Sequence, residues 1–228
     1  FWNNLLPLKK LNQITNYNLY LDPTVQDFKN GFSNAKQKRL SHIINNKDPN
    51  IFLTDNEISK GYALLEKINV PSNISFICIQ NRDNCFLNWY HLPKQQKLYQ
   101  IDWSHHDYRN SDINNYVLAA ENLISDNTYV FFTGVSKITS KKKLPKQIIE
   151  PRHTEVGSDF MDIFLAANCR FFVGDTGGLG FVPIAFDVPF VGVNWTPFGL
   201  PPLGNNSIFV PKRIKNKKTS EFISFSEC

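Results

Sequence analysis

Residues 170–195 read RFFVGDTGGLGFVPIAFDVPFVGVNW, and their pattern decides the fold. An apolar run, Phe171, Phe172 and Val173, leads into a polar glycine-rich turn of Gly174, Asp175, Thr176, Gly177 and Gly178. A short helical stretch near 179–186 follows, then a second apolar run over 188–193 that ends at Asn194 and Trp195. Strand, turn, helix and strand in this order form a parallel βαβ unit, whose turn lies at the carboxyl edge of the sheet. Backbone N–H groups at the start of a helix favour an anion, so the turn is a candidate cradle for a phosphate or diphosphate. Two readings stand for it. Its glycines supply positive φ in a tight turn, or Thr176, Gly177 and Gly178 bind a diphosphate while Asp175 orients the loop.

The same alternation extends upstream. Thr54 and Glu57 have the spacing of a capping box and open a helix with apolar positions Ile58, Tyr62, Leu65 and Ile68. Gly61 is the weak point of that helix, and Asn69, Val70 and Pro71 end it. Residues 76–80 form a buried strand leading to Asn81, Arg82 and Asp83. Residues 84–110, rich in Tyr, His and Trp, are a loop long enough to imply a function. Ser111 is the expected N-cap of a helix striped by Ile113, Tyr116, Val117, Ala120, Leu123 and Ile124. Strands at 128–133 and 147–150 and a helix at 160–167 complete the series. From residue 76 onward this predicts an α/β fold, a Rossmann-like parallel sheet with helices on both faces.

Composition narrows the function classes. The 228 residues carry a formal charge of +5, much of it in two runs. One is Lys141, Lys142 and Lys143 with Lys146; the other is Lys212 and Arg213 with Lys215, Lys217 and Lys218. Each is read either as solvated surface or as a contact for an anionic membrane or a phosphorylated substrate. Nucleic acid is not an expected partner, because these cations are not interleaved with aromatics in a recognition module. Cys78, Cys85, Cys169 and Cys228 show no C-x-x-C spacing, and Cys78 and Cys169 are expected as buried thiols in a reducing compartment. Pro183, Asp187 and Pro189 break the longest apolar stretch, so no membrane span is expected. The expected location is cytoplasmic, with peripheral contact at the inner membrane face as the alternative. The glycine turn is neither a dinucleotide fingerprint, since Asn81, Arg82 and Asp83 follow the first strand, nor a P-loop, since no Gly-Lys-Ser/Thr ends it. No D-x-D and no metal-ligand spacing occurs, so no metal or cofactor is expected.

The second constellation is HHDYRNSD at 105–112. Arg109 offers a bidentate fork to a phosphate, and His106 can carry a proton between a leaving group and an acceptor hydroxyl. Arg82 has the same logic after the first strand, with an ion pair to Asp83 as its structural alternative. Glu150, Arg152, Asp159 and Asp162 surround the third strand and its helix. Asp159 also suits the positive end of that helix, and Asp162 is read as a solvated helix residue.

The blocks FICIQNRD, HDYRNSDINNYVLAAENLI, YVFFTG, SDFMDIFLAANCRFFVGDTGGLGFVPIAF and VPFVGVNWTP occur in this order. Together they resemble a family of bacterial glycosyltransferases associated with surface-carbohydrate synthesis. The upstream IFLTDNEISKGYALLEKINV resembles the segment before the first strand of that family's C-terminal domain. The resemblance covers about residues 50 to 226, and the RNSD-helix and SDFMD-helix-strand blocks are its most specific parts. It implies the C-terminal domain of a GT-B glycosyltransferase, in which two Rossmann-like domains enclose a nucleotide-sugar without a metal. On that basis residues 1–70 are a remnant of the N-terminal domain and interdomain helices. Residues 71–228 are the nucleotide-sugar-binding domain, truncated at its C-terminus.

The donor-binding residues expected are Arg82, Asp112, Glu150, Asp159, Gly174, Asp175, Thr176, Gly177 and Gly178, with Arg109 and His106 as the catalytic pair. One departure stands out. Phe132, Thr133 and Gly134 occupy an Arg-Met-Gly strand end of the family, which removes a basic residue from the cleft edge. The implied activity is transfer of a sugar from a nucleotide-sugar donor to a saccharide or lipid-linked acceptor. A sugar-nucleotide epimerase and a non-catalytic nucleotide-sugar-binding module are the alternatives on the same fold.

Overall fold

The computed structural model describes residues 51–85, 104–139, 142–196 and 206–224. Lys141, Cys228 and residues 1–50 of the expected N-terminal remnant lie outside the described residues. The strands are β1 (Ser75–Gln80), β2 (Thr128–Phe132), β3 (Ile148–Ile149), β4 (Phe172–Gly174), β5 (Phe190–Trp195) and β6 (Ser207–Pro211). They make one parallel sheet in the order β3-β2-β1-β4-β5-β6. The central strands are buried on both faces, which is why their sequences are apolar runs without alternation.

Successive residues still serve opposite faces. Phe76, Cys78, Phe131, Phe172 and Phe190 belong to one core layer, and Ile77, Ile79, Val130 and Phe132 to the other. The first layer is covered by α1 (Asp55–Lys67), α3 (Asp159–Asn168) and α4 (Phe181–Ala185), and the second by α2 (Val117–Leu123) with the 3₁₀ turn Ile113–Tyr116. The fold is therefore the expected α/β sheet with helices on both faces. Cys78 and Cys169 are buried, unpaired thiols in the first layer, and burial pushes the Cys78 thiol up.

The capping box of α1 is complete, with Glu57 N donating to Thr54 Oγ1 and Thr54 N donating to Glu57 Oε2 at 2.7 Å. Asn69, at φ 59°, turns the chain out of the helix. Gly61 is not a weak point but the crossing point of α1 and α3: a Cβ there would stand 2.2 Å from the Phe164 ring. Gly61→Ala is expected to lose about 1–3 kcal/mol through overpacking. A urea midpoint equal to that of the parent would contradict this contact.

Three other expectations change. The helix after residue 111 divides into a 3₁₀ turn and α2, and its cap is Asp112, which accepts from Asn114 N at 2.9 Å, rather than Ser111. Asp and Ser are equally good caps, so the sequence did not choose between them. Asp162 is buried within α3, not solvated, because Met161, Asp162, Ile163, Phe164, Leu165 and Ala166 are all enclosed. Strand β6 was not expected at all; SIFV before Pro211 is too short to show a period.

The strand order carries the functional geography. The chain runs outward from β1 to β2 and β3, then returns to the far side of β1 as β4. The chain passes from β1 to the second core layer and from β4 to the first, and the carboxyl edge at such a switch point is where open α/β sheets bind ligands.

Candidate functional site at the β1–β4 switch point

Gln80 and Gly174, the last residues of β1 and β4, are register partners, so the segments that follow them meet. Asp175 leaves β4 fully buried. Its Oδ2 accepts from Arg82 N at 2.7 Å and from Ser111 Oγ at 2.8 Å. Ser111 is zipped to the end of β1: its N donates to Arg82 O at 2.8 Å, and its carbonyl accepts from Asn81 Nδ2 at 2.9 Å. A further chain joins Ser111 Oγ to Tyr116 OH at 3.2 Å and Tyr116 OH to Asn194 Nδ2 at 3.2 Å, reaching the end of β5.

Two guanidiniums lie near enough to this carboxylate for their charge to favour its ionised form. Arg82 Nη1 donates to His106 O at 3.1 Å and to Asn110 Oδ1. Arg109 Nε donates to Thr176 Oγ1 at 3.2 Å, and its Nη2 to the Thr176 carbonyl. Thr176 Oγ1 in turn donates to Thr196 O at 2.6 Å, fixing the glycine-rich turn to the segment after β5. Burial lowers the pKa of both arginines, and their mutual repulsion adds to this for Arg82, but each stays charged. Two guanidiniums set against one carboxylate leave an excess of positive charge at this edge.

The glycines of the turn are needed for close approach, not for positive φ. Gly134 is the one glycine with positive φ among the described residues. A Cβ on Gly177 would stand 2.8 Å from Gln80 Nε2, and one on Gly174 would stand 3.0 Å from the Phe172 ring. The buried Gln80 amide is thus wedged beneath the turn, with Nε2 donating to Asn81 O. Helix α4 spans five residues, and Gly177 N donates to Asp175 O at 2.7 Å. So short a helix offers little N-terminal dipole, and the charge at this edge comes from the arginines. Three buried acceptors, Gln80 Oε1, Asn81 Oδ1 and Asp175 Oδ1, find no partner among the described residues.

Asp175 is also a pH-dependent element. Burial, opposed by the Arg82 N–H, the Ser111 hydroxyl and the two guanidiniums, raises its pKa from 3.8 to about 6. The native state binds this proton more firmly than the unfolded chain does. The contribution to stability is therefore complete below 3.8 and is lost as pH rises through about 6. It amounts to about 3 kcal/mol. Asp175→Asn should flatten the fall in denaturant stability over that window, whereas an unaltered fall would assign it to other groups.

The structure brings Arg82, Arg109, Gly174, Asp175, Thr176 and Gly177 together, with Gly178 next in the turn. His106 joins them through its carbonyl, and its ring lies 4.0 Å from that of His105. Burial first, then His105 and the two arginines, lowers the His106 pKa and favours its neutral imidazole. Asp112 is outside the group, occupied as a helix cap. Glu150 and Asp159 belong to other contacts. Glu150 Oε1 accepts from Ile138 N at 2.7 Å, and Asp159 pairs with Arg152 at 3.0 Å, which also grips Asp162.

Sequence reading missed Ser111, Gln80 and Lys212 as parts of the site. Lys212 was read within a solvated run or an anion contact, yet its Nζ donates to Tyr108 O at 3.0 Å and Asn110 O at 2.7 Å. No helix among the described residues is long and apolar enough to cross a membrane, and no cluster of three His, Cys, Asp or Glu among them could hold a metal ion.

No protein-family model matches the chain, and no curated protein sequence does. Among solved structures, the ADP-heptose LPS heptosyltransferase II of E. coli is similar with a TM-score of 0.44 and 15% identity, over 73% of this chain and 45% of that one. A glycosyl transferase family 9 structure from Veillonella parvula DSM 2008 is similar with a TM-score of 0.45 and 10% identity, over 71% of this chain and 42% of that one. The chain spans less than half the length of either.

Proposed function

We propose that the chain is the donor-binding part of a glycosyltransferase that moves a sugar from a nucleotide-diphosphate sugar to a saccharide or lipid-linked acceptor. The observation that carries this reading is the pair Arg82 and Arg109 at the β1–β4 switch point, set against the Asp175–Thr176 turn. It is supported by the sequence blocks around RNSD and SDFMD, which contribute Arg109, Ser111, Asp159 and Asp162.

In the reaction an acceptor hydroxyl oxygen bonds to the anomeric carbon while the bond from that carbon to the diphosphate oxygen breaks. The electron pair leaves with the nucleoside diphosphate, and the acceptor proton passes to a base. Arg109 and Arg82 neutralise the departing charge, which grows as the bond breaks and is therefore stabilised more in the transition state than in the donor. His106, whose neutral imidazole is favoured, is the base in this scheme. His106→Gln in the full-length protein is expected to lower turnover about a hundredfold with donor affinity unchanged. Unchanged turnover would remove His106 from the reaction.

The test of the function is release of nucleoside diphosphate from a nucleotide-sugar by the full-length protein, with and without acceptor saccharide. Transfer requires the acceptor. An isomerised donor formed without acceptor would mean an epimerase, and binding without release in either condition would mean a binding module.

A further inference from the structure

The turn that presents Arg109 is Ser104–Arg109, and none of its residues is buried. An element with no buried side chain depends on its polar contacts, so its hydrogen bonds help to decide where Arg109 stands. Two cations hold it, from different parts of the sheet. Arg82, after β1, donates to His106 O at 3.1 Å and to Asn110 Oδ1. Lys212, directly after β6, donates to Tyr108 O at 3.0 Å and to Asn110 O at 2.7 Å, the carbonyls on either side of Arg109. The Lys212 backbone is itself fixed, because its N donates to Trp195 O at 3.1 Å at the end of β5.

We propose that Lys212 is a positioning residue for Arg109, clamping the peptide units that flank it so that its guanidinium meets the Thr176 turn. Lys212 is half-buried, and two well-formed bonds to carbonyls of one turn are a specific arrangement rather than a solvated charge. The arrangement also couples the site to β6, an edge strand: displacement of β6 would release the clamp and move Arg109 away from the glycine-rich turn. This inference rests on the nucleotide-sugar reading for its consequence on binding, but not for its consequence on the turn.

The experiment pairs Lys212→Met, which keeps the aliphatic length but has no donor, with Lys212→Arg, which restores donors and charge. Calorimetric titration of the whole chain with ADP and UDP is combined with backbone order parameters and amide exchange over residues 104–110. Lys212→Met is expected to bind both probes about tenfold more weakly and to loosen residues 104–110, with little change in melting temperature; Lys212→Arg should recover most of both. In an Arg109→Ala background, Lys212→Met should add no further loss, because its effect passes through Arg109. Parental order and exchange in Lys212→Met would overturn the proposal, as would a fully additive loss in the double variant, which would make Lys212 a direct ligand contact. Failure of the parent to bind either probe would overturn an ADP- or UDP-linked donor, with the order parameters still deciding the clamp.

Discussion

Arg109→Ala is expected to weaken nucleoside-diphosphate binding by about ten- to a hundredfold, the effect of removing about 1.5–3 kcal/mol of charged hydrogen bonding. The guanidinium reaches the site from a turn with no buried residue, yet it lies against both the hydroxyl and the carbonyl of Thr176. It is therefore the cation that the glycine-rich turn sees most directly. Arg109→Lys should rescue little of the loss, because an ammonium supplies the charge without the planar fork. Calorimetric titration with ADP or UDP reads the effect. A dissociation constant unchanged in Arg109→Ala would remove this residue from the site and leave Arg82 to be tested in its place.

Phe164→Ala carries the largest expected effect on stability, about 3–5 kcal/mol. Phe164 is fully buried at the centre of the first core layer. Its ring lies edge-on to Tyr62 with centroids 5.4 Å apart and stacks on Phe160 at 6.3 Å, and Gly61 lies directly against it. No small adjustment refills that volume, since both helices are held by their own caps at Thr54 and Ser158. Against a total of about 5–15 kcal/mol, such a loss removes much of the stability of the domain. Denaturant unfolding measures it, and a loss below about 1 kcal/mol would show that α1 and α3 do not pack through this ring.

The fold was legible because its signals are local and redundant. Buried parallel strands appear as apolar runs, and Thr54 with Glu57 marks a helix start by side-chain chemistry alone. The site was legible only where chemistry and topology coincide. Arg82, Arg109 and the turn after β4 each sit next to an element end, so a parallel sheet necessarily brings them to one edge. What remained hidden depends on contacts between residues far apart in the chain. Ser111 looks like a cap, and nothing in its neighbours signals a bond to Asp175, 64 residues away. Lys212 sits in a run of cations that could all be solvated, and only the position of β6 directs it to carbonyls about 100 residues upstream. Gly61 was read as a weak point of its helix and Gly177 as either a turn glycine or a diphosphate contact, whereas each has another side chain, Phe164 or Gln80, in the space of its Cβ. Asp162 shows the limit of periodicity: a helix enclosed nearly all round gives no polar stripe by which an inward carboxylate could be recognised.

The proposed function requires that the β1–β4 switch point binds the diphosphate of a nucleotide-sugar. The most direct measurement is the melting temperature of the chain against a panel of UDP-, GDP-, ADP- and CMP-sugars, with Arg82→Ala/Arg109→Ala as the control. At least one diphosphate-linked sugar should raise the melting temperature of the parent more than the monophosphate-linked CMP-sugar does, and the double variant should lose that rise. Stabilisation by none of them, or an equal rise in the double variant, would contradict it.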